Sequence, residues 1–187
     1  MHSSFDKEIF EDSRGFSLLY WRFIPPEYYE QSRSLERFPM ILLLHGSDER
    51  GSDNEAQLGN GVAELLESLP EPCFSLVPQC PINHRWAEVN WTARRHIIPS
   101  EPSVPLSTTL ELLDRHCAHY RIDPARIYLI GLSMGGYGVW DLLCRQPDRF
   151  AAAVPICGGA DEDAVAAARS VPIWAFHGKL DLVVPVD

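Results

Sequence analysis

Residues 39–46 run Pro-Met-Ile-Leu-Leu-Leu-His-Gly, apolar almost without interruption and closed by glycine. A strand with one wet face would alternate apolar and polar residues. A run with no polar face belongs in the middle of a sheet covered on both sides. Runs of the same kind recur at 74–78, 126–131, 150–156 and 171–176, and an earlier aromatic-rich stretch, 16–24, reads as a strand ended by Pro25-Pro26. Helical spacing fills the intervals. Val62, Leu65, Leu66 and Leu69 share one face over 61–69, and Leu110, Leu113, Cys117 and Tyr120 do so over 106–120. A third helix spans 134–146 and stops before Pro147, and a fourth over 161–169 carries acids in its first turn and Arg169 in its last. Alternating strand and helix predicts an α/β fold, a mostly parallel central sheet with helices on both faces, in a single domain over 1–187. Residues 78–105 stand apart as a long, proline-rich loop carrying Trp86 and Trp91.

Charge narrows the function classes. Sixteen Lys and Arg against 26 Asp and Glu give a net charge of −10. Nucleic-acid binders concentrate cations, so no nucleic-acid partner is expected, and anionic substrates would be poorly steered. No apolar run approaches the roughly 18 residues of a membrane helix. Met1-His2-Ser3-Ser4-Phe5-Asp6 lacks the basic start and apolar stretch of a secretory leader. Five cysteines with no CxxC pair read as reduced thiols, which suits a cytoplasmic chain. The sequon Asn90-Trp91-Thr92 carries little weight without a leader.

The strongest chemical signal is Gly131-Leu132-Ser133-Met134-Gly135, set between a buried strand and a helix. There the chain must reverse within a few residues, which strains the serine backbone and exposes its hydroxyl above the sheet. Small residues at 131 and 135 let strand and helix pass closely. Ser133 is the candidate nucleophile. A tetrahedral intermediate needs two backbone N–H groups for its oxyanion. Met134, after the nucleophile, is one candidate. Ser47, in the loop His45-Gly46-Ser47 after the 39–44 run, is the other. His45 is expected to brace that loop. Asp181, in the turn after the 171–176 run, is the candidate acid in the order serine, acid, histidine, and His177 is expected to pack.

Together these residues resemble the α/β-hydrolases, and among them the phospholipase/carboxylesterase-like, predicted-peptidase esterases. The resemblance is carried by Leu44-His45-Gly46-Ser47-Asp48-Glu49-Arg50-Gly51-Ser52-Asp53-Asn54, by Val77-Pro78-Gln79-Cys80-Pro81, by residues 126–136 and 147–159, and by Trp174-Ala175-Phe176-His177-Gly178. It implies a serine esterase that cleaves carboxylic esters of small molecules through an acyl-enzyme, with no metal or organic cofactor. It also implies a base histidine well after the acid. Here six residues follow Asp181 and none is histidine; all seven histidines precede it. The expectation is therefore a domain lacking its last strand and flanking helices. The base would be absent, donated by another chain, or recruited from His84 or His96. Activity without the base should be very weak, since about 10³–10⁴-fold catalysis remains when a triad member is removed. An unpaired edge near Trp174 would favour a homodimer.

Other features carry weaker readings. His116 and His119, three apart on a helix, suit a solvated face better than a zinc site. Asp48, Glu49, Asp53 and Glu55 lack calcium-loop spacing. Trp86 and Trp91 either bind substrate or pack the long loop onto the sheet, and Cys157 suits a small buried position. Two rivals to the esterase are a non-catalytic binding module and a serine peptidase of related fold.

Overall fold

The structure is a computed structural model that describes residues 4–186. Among them, β1 (Ser4–Glu11), β2 (Ser17–Ile24), β3 (Phe38–Leu44), β4 (Phe74–Gln79), β5 (Ile122–Leu132) and β6 (Ala152–Ile156) form one sheet in the order β1-β2-β4-β3-β5-β6. β3 pairs in parallel with β4 and β5, and β5 with β6; β1/β2 and β2/β4 are antiparallel. The parallel half follows from its connections, which run through helices α1 (Val62–Glu67), α2 (Val104–His119) and α3 (Met134–Arg145).

Successive residues of the central strands feed two cores. Met40, Leu42, Leu44, Leu76 and Leu129 pack with Leu106 and Leu113 of α2 and with Val139 and Leu142 of α3. Ile41, Leu43 and Val77 pack with Leu66 of α1 on the opposite face. The fully apolar runs are thus buried from both sides, as their lack of a polar face requires.

Three elements differ from expectation. β1 is an edge strand whose charges hid it: Lys7 pairs with Glu55, and Asp6 and Glu8 with Arg22. Residues 171–176 meet β6 through two parallel bridges, Ala153 to Ile173 and Ile156 to Phe176, rather than as a continuous strand. Pro155 and Pro172 remove donors from the ladder. The stretch 161–169 holds a turn and a short 3₁₀ segment, Val165–Ser170, in place of an α-helix. The turn is held by Asp161, its Oδ1 accepting the N–H groups of Asp163 and Ala164.

The long loop is fastened at several points. Arg145, paired with Asp141, donates to the carbonyls of Ser100 (2.7 Å) and Pro99 (2.6 Å). Ser103 caps α2 by accepting from Leu106 N, and its hydroxyl donates to Trp86 O at 2.7 Å.

Candidate active site

Ser133 occupies the reversal between β5 and α3 with φ 52° and ψ −112°. A non-glycine residue in that region is strained, and the surroundings hold it there. Its N–H donates to Ile156 O at 2.8 Å, and its carbonyl accepts from Tyr137 N at 3.1 Å. The close passage demands glycine: a β-carbon on Gly135 would overlap the carbonyl oxygen of Leu44 and stand 2.8 Å from that of His45. Met134 begins α3, so its N–H lies in the first turn, where backbone donors have no partner within the helix.

The 45–51 loop is seated against this reversal. A β-carbon at Gly46 would lie 3.7 Å from Ser133 Cβ. His45, 2% exposed, is locked in one tautomer. Its Nε2 accepts from Cys80 N–H at 2.8 Å, so the proton is on Nδ1, which donates to Gly46 O at 2.6 Å. Burial pushes the His45 pKa down to about 4, with Arg50 adding in the same direction against the raising effect of the Gly46 bond. Because a trans peptide holds C=O and N–H in opposite directions, the Ser47 N–H points away from the His45 ring. Gln79 ties the far end of the loop, donating to Glu49 O at 3.1 Å and Asp53 Oδ1 at 2.8 Å and accepting from Asn54 N at 2.8 Å.

The two tryptophans separate. Trp86 is 0% exposed, donates its Nε1 to His45 O at 3.0 Å and packs edge-on to the His45 ring. Substrate cannot reach a side chain so enclosed, which corrects the substrate-binding expectation for Trp86; it braces the loop. Trp91 is half-buried, with the guanidinium carbon of Arg85 4.4 Å and that of Arg50 5.8 Å from its ring centre, and its carbonyl accepts from Tyr137 Oη at 3.0 Å.

Asp181 lies in the turn after residues 171–176. Its Oδ1 accepts from Val184 N and Val183 N, both at 2.9 Å, and these N–H groups hold its carboxyl below the usual range. His177 Nε2 stands 3.7 Å from Asp181 Oδ2 and bonds Val184 O at 3.0 Å, so this imidazole belongs to the turn itself. Burial first, and then the Asp181 charge, raise the Tyr137 hydroxyl to about 12, and burial and that charge raise the Cys157 thiol, which the Ser133 backbone N–H opposes.

None of the described histidines joins Ser133 to Asp181. His84 packs edge-on to Phe16, 5.2 Å between ring centres. His96 packs on Tyr137 at 5.2 Å, and both its ring nitrogens are buried without a hydrogen-bond partner among the described residues. His2 lies outside the described residues. His116 departs from the solvated-face expectation: it is 4% exposed, and its Nδ1 bonds Leu112 O at 2.9 Å, one turn back on α2. Sequence reasoning counted Arg50 and Gln79 among the residues carrying the resemblance but gave neither a role; their signal was position, since one follows the His-Gly pair by four residues and the other ends a central strand.

Comparison with known proteins shows the family and the fold. The Esterase family model, described as "Putative esterase", matches residues 20–175. Over 156 residues the chain is 35% identical to the bifunctional acetylxylan esterase/xylanase XynS20E of Neocallimastix patriciarum, covering 83% of this chain and 21% of that protein. It is 29% identical over 140 residues to a poly(3-hydroxybutyrate) depolymerase of Ralstonia pickettii, covering 71% of this chain and 26% of that one. The crystal structure of a thermostable esterase superposes with a TM-score of 0.85 at 39% identity, over 97% of this chain and 48% of that one. The feruloyl esterase module from Clostridium thermocellum shares the fold at a TM-score of 0.63 and 13% identity, over 94% of this chain and 66% of that one. The chain thus spans about half of the thermostable esterase and about a quarter or less of these two curated relatives. With its family model matched over 20–175 and its sheet superposing on a solved esterase, this chain has the α/β-hydrolase fold and belongs to the Esterase family.

Proposed function

We propose that this chain carries the core of a carboxylic-ester hydrolase in which Ser133 attacks the ester carbonyl. The observation that carries this reading is the strained Ser133 backbone, φ 52°, with Gly46 seated against its β-carbon. A strained nucleophile turn next to a fixed second loop is the arrangement that acyl transfer needs. The oxyanion of the tetrahedral intermediate is received by the N–H groups of Met134 and Ser47. Collapse expels the alcohol and leaves an acyl-enzyme on Ser133 Oγ; attack by water releases the acid and restores the serine. Asp181 orients the imidazole that takes and returns the proton. Because none of the described histidines spans Ser133 and Asp181, we assign that imidazole to polypeptide outside these residues. The 187-residue chain alone is then a very weak esterase.

The substrate class is a small-molecule ester, and the motifs around His45 and Ser133 favour the phospholipase/carboxylesterase-like branch. Five cysteines without a disulfide suit a cytoplasmic setting. No helix among the described residues is long and apolar enough to cross a membrane. Trp174, 69% exposed beside the 171–176 edge, makes that edge the site for a homodimer.

The test is hydrolysis of a short-chain nitrophenyl ester and labelling by a fluorophosphonate, with Ser133→Ala alongside, on this chain and on the complete product of its gene. The proposal expects Ser133-dependent turnover in the complete product and little in the chain. No Ser133-dependent turnover or labelling in the complete product overturns it in favour of a binding module. Amide hydrolysis faster than ester hydrolysis would instead make the protein a peptidase.

A further inference from the structure

Arg50 is half-buried and bonds both the 45–51 loop and the long loop. Its Nε donates to Ser47 O at 2.9 Å, inside the 45–51 loop. Its Nη1 donates to Ile82 O at 3.2 Å and lies 3.4 Å from His84 O, both in the long loop, and its guanidinium carbon stands 5.8 Å from the centre of the Trp91 ring. The two segments also meet through Gly51 N–H to Cys80 O at 3.1 Å, Cys80 N–H to His45 Nε2 at 2.8 Å and Trp86 Nε1–H to His45 O at 3.0 Å. Arg50 is the residue that ties the carbonyl of Ser47 itself to the long loop. His45 fixes the peptide before Ser47 through Gly46 O, and Arg50 fixes the peptide after it through Ser47 O.

We infer that Arg50 is a positioning residue, which sets the Ser47 amide and couples it to the wall of the long loop that carries Trp91. The inference rests on the esterase reading for its kinetic consequence, but the coupling itself is a property of the two loops. A planar guanidinium can serve separate carbonyls and lie over a ring together; an ammonium presents one point of charge and cannot hold that geometry. A displacement of the Trp91 wall is therefore passed to the Ser47 peptide, so that what occupies the wall alters the aim of an amide beside Ser133.

The test compares Arg50→Lys with Arg85→Lys. Arg85 also lies over the Trp91 ring, but its Nη1 donates to Val89 O within its own loop, at 3.0 Å. Amide hydrogen exchange is followed by mass spectrometry for the segments 45–51 and 81–92. Arg50→Lys should speed exchange in both segments, and Arg85→Lys in 81–92 alone. In the complete gene product Arg50→Lys should lower kcat on a short ester about tenfold, short of the loss of a whole oxyanion donor, with KM within about twofold. Arg50→Met, which keeps the packing stem, should behave alike. Faster exchange in one segment only, or in neither, overturns the coupling. Faster exchange in both with kcat unchanged, or a rise in KM alone, overturns the positioning role. If the wild type shows coupled exchange and no Ser133-dependent turnover, the coupling stands and the hydrolase reading falls.

Discussion

Replacing His45 by phenylalanine removes both ring nitrogens while keeping a planar ring against Trp86, now 5.3 Å between centres. Two consequences can be sized. At pH 7 the buried N–H of Cys80 loses its acceptor, which costs about 1–3 kcal/mol of stability. The second consequence depends on pH. Burial lowers the His45 pKa from 6.5 to about 4. Between those values the unfolded chain takes up a proton that the folded chain refuses, so stability rises with pH across the window and falls as pH drops from 6.5 toward 4. A shift of about 2.5 units corresponds to roughly 3 kcal/mol at 1.36 kcal/mol per unit, an order-of-magnitude figure for a buried ring. The variant lacks this term. It should be less stable than wild type at pH 7, and the gap should close by roughly 3 kcal/mol near pH 4. Urea unfolding of both proteins at several values between pH 4 and 7.5, followed by tryptophan fluorescence, measures the gap. A gap that stays constant over that range would refute the buried, neutral, tautomer-locked imidazole.

Gly135→Ala should prevent folding or destabilise by more than about 3 kcal/mol, because the added methyl group meets backbone oxygens that cannot yield; expression and thermal melting report it. Ser133→Gly should raise stability by about 1 kcal/mol, or leave it unchanged, by relieving the positive φ, and chemical denaturation is the measurement. In the complete gene product, Asp181→Asn should lower kcat by about 10⁴-fold if the acid sets the imidazole tautomer; steady-state kinetics on a nitrophenyl ester decide it, and a loss below tenfold would remove Asp181 from that role.

The parts of this fold that were legible in the sequence are those enforced locally. The turn at Ser133 is readable because its sterics leave only glycine at 131 and 135, and the continuous apolar runs are readable because they have no polar face. What escaped depends on partners distant in sequence. β1 could not be seen because Lys7, Asp6 and Glu8 are answered by Glu55 and Arg22 on other elements. The 171–176 pairing fails to become a strand because of a proline on the neighbouring β6 as well as its own. Whether Trp86 lined a cleft or filled a core turned on a carbonyl 41 residues away. His116 was misread although Leu112, four residues back, was a local clue: a buried carbonyl on the same helix face can satisfy an imidazole. Met134 follows Ser133 and Gly46 seats the Ser47 loop against it, whereas a histidine bonded to both Ser133 and Asp181 has no counterpart among the described residues.

The irregular tract between β4 and α2 is not a free flap. The Arg145 fork on Pro99 and Ser100, the Ser103 hydroxyl on Trp86 and the Arg50 bonds to Ile82 and His84 have already removed most of its conformational freedom. Under the proposed function, a substrate arriving beside Trp91 would meet a loop already in place, so little ordering entropy would be lost on its arrival. The rigidity also has a cost: a guest whose outline does not suit that loop cannot recruit it by induced fit.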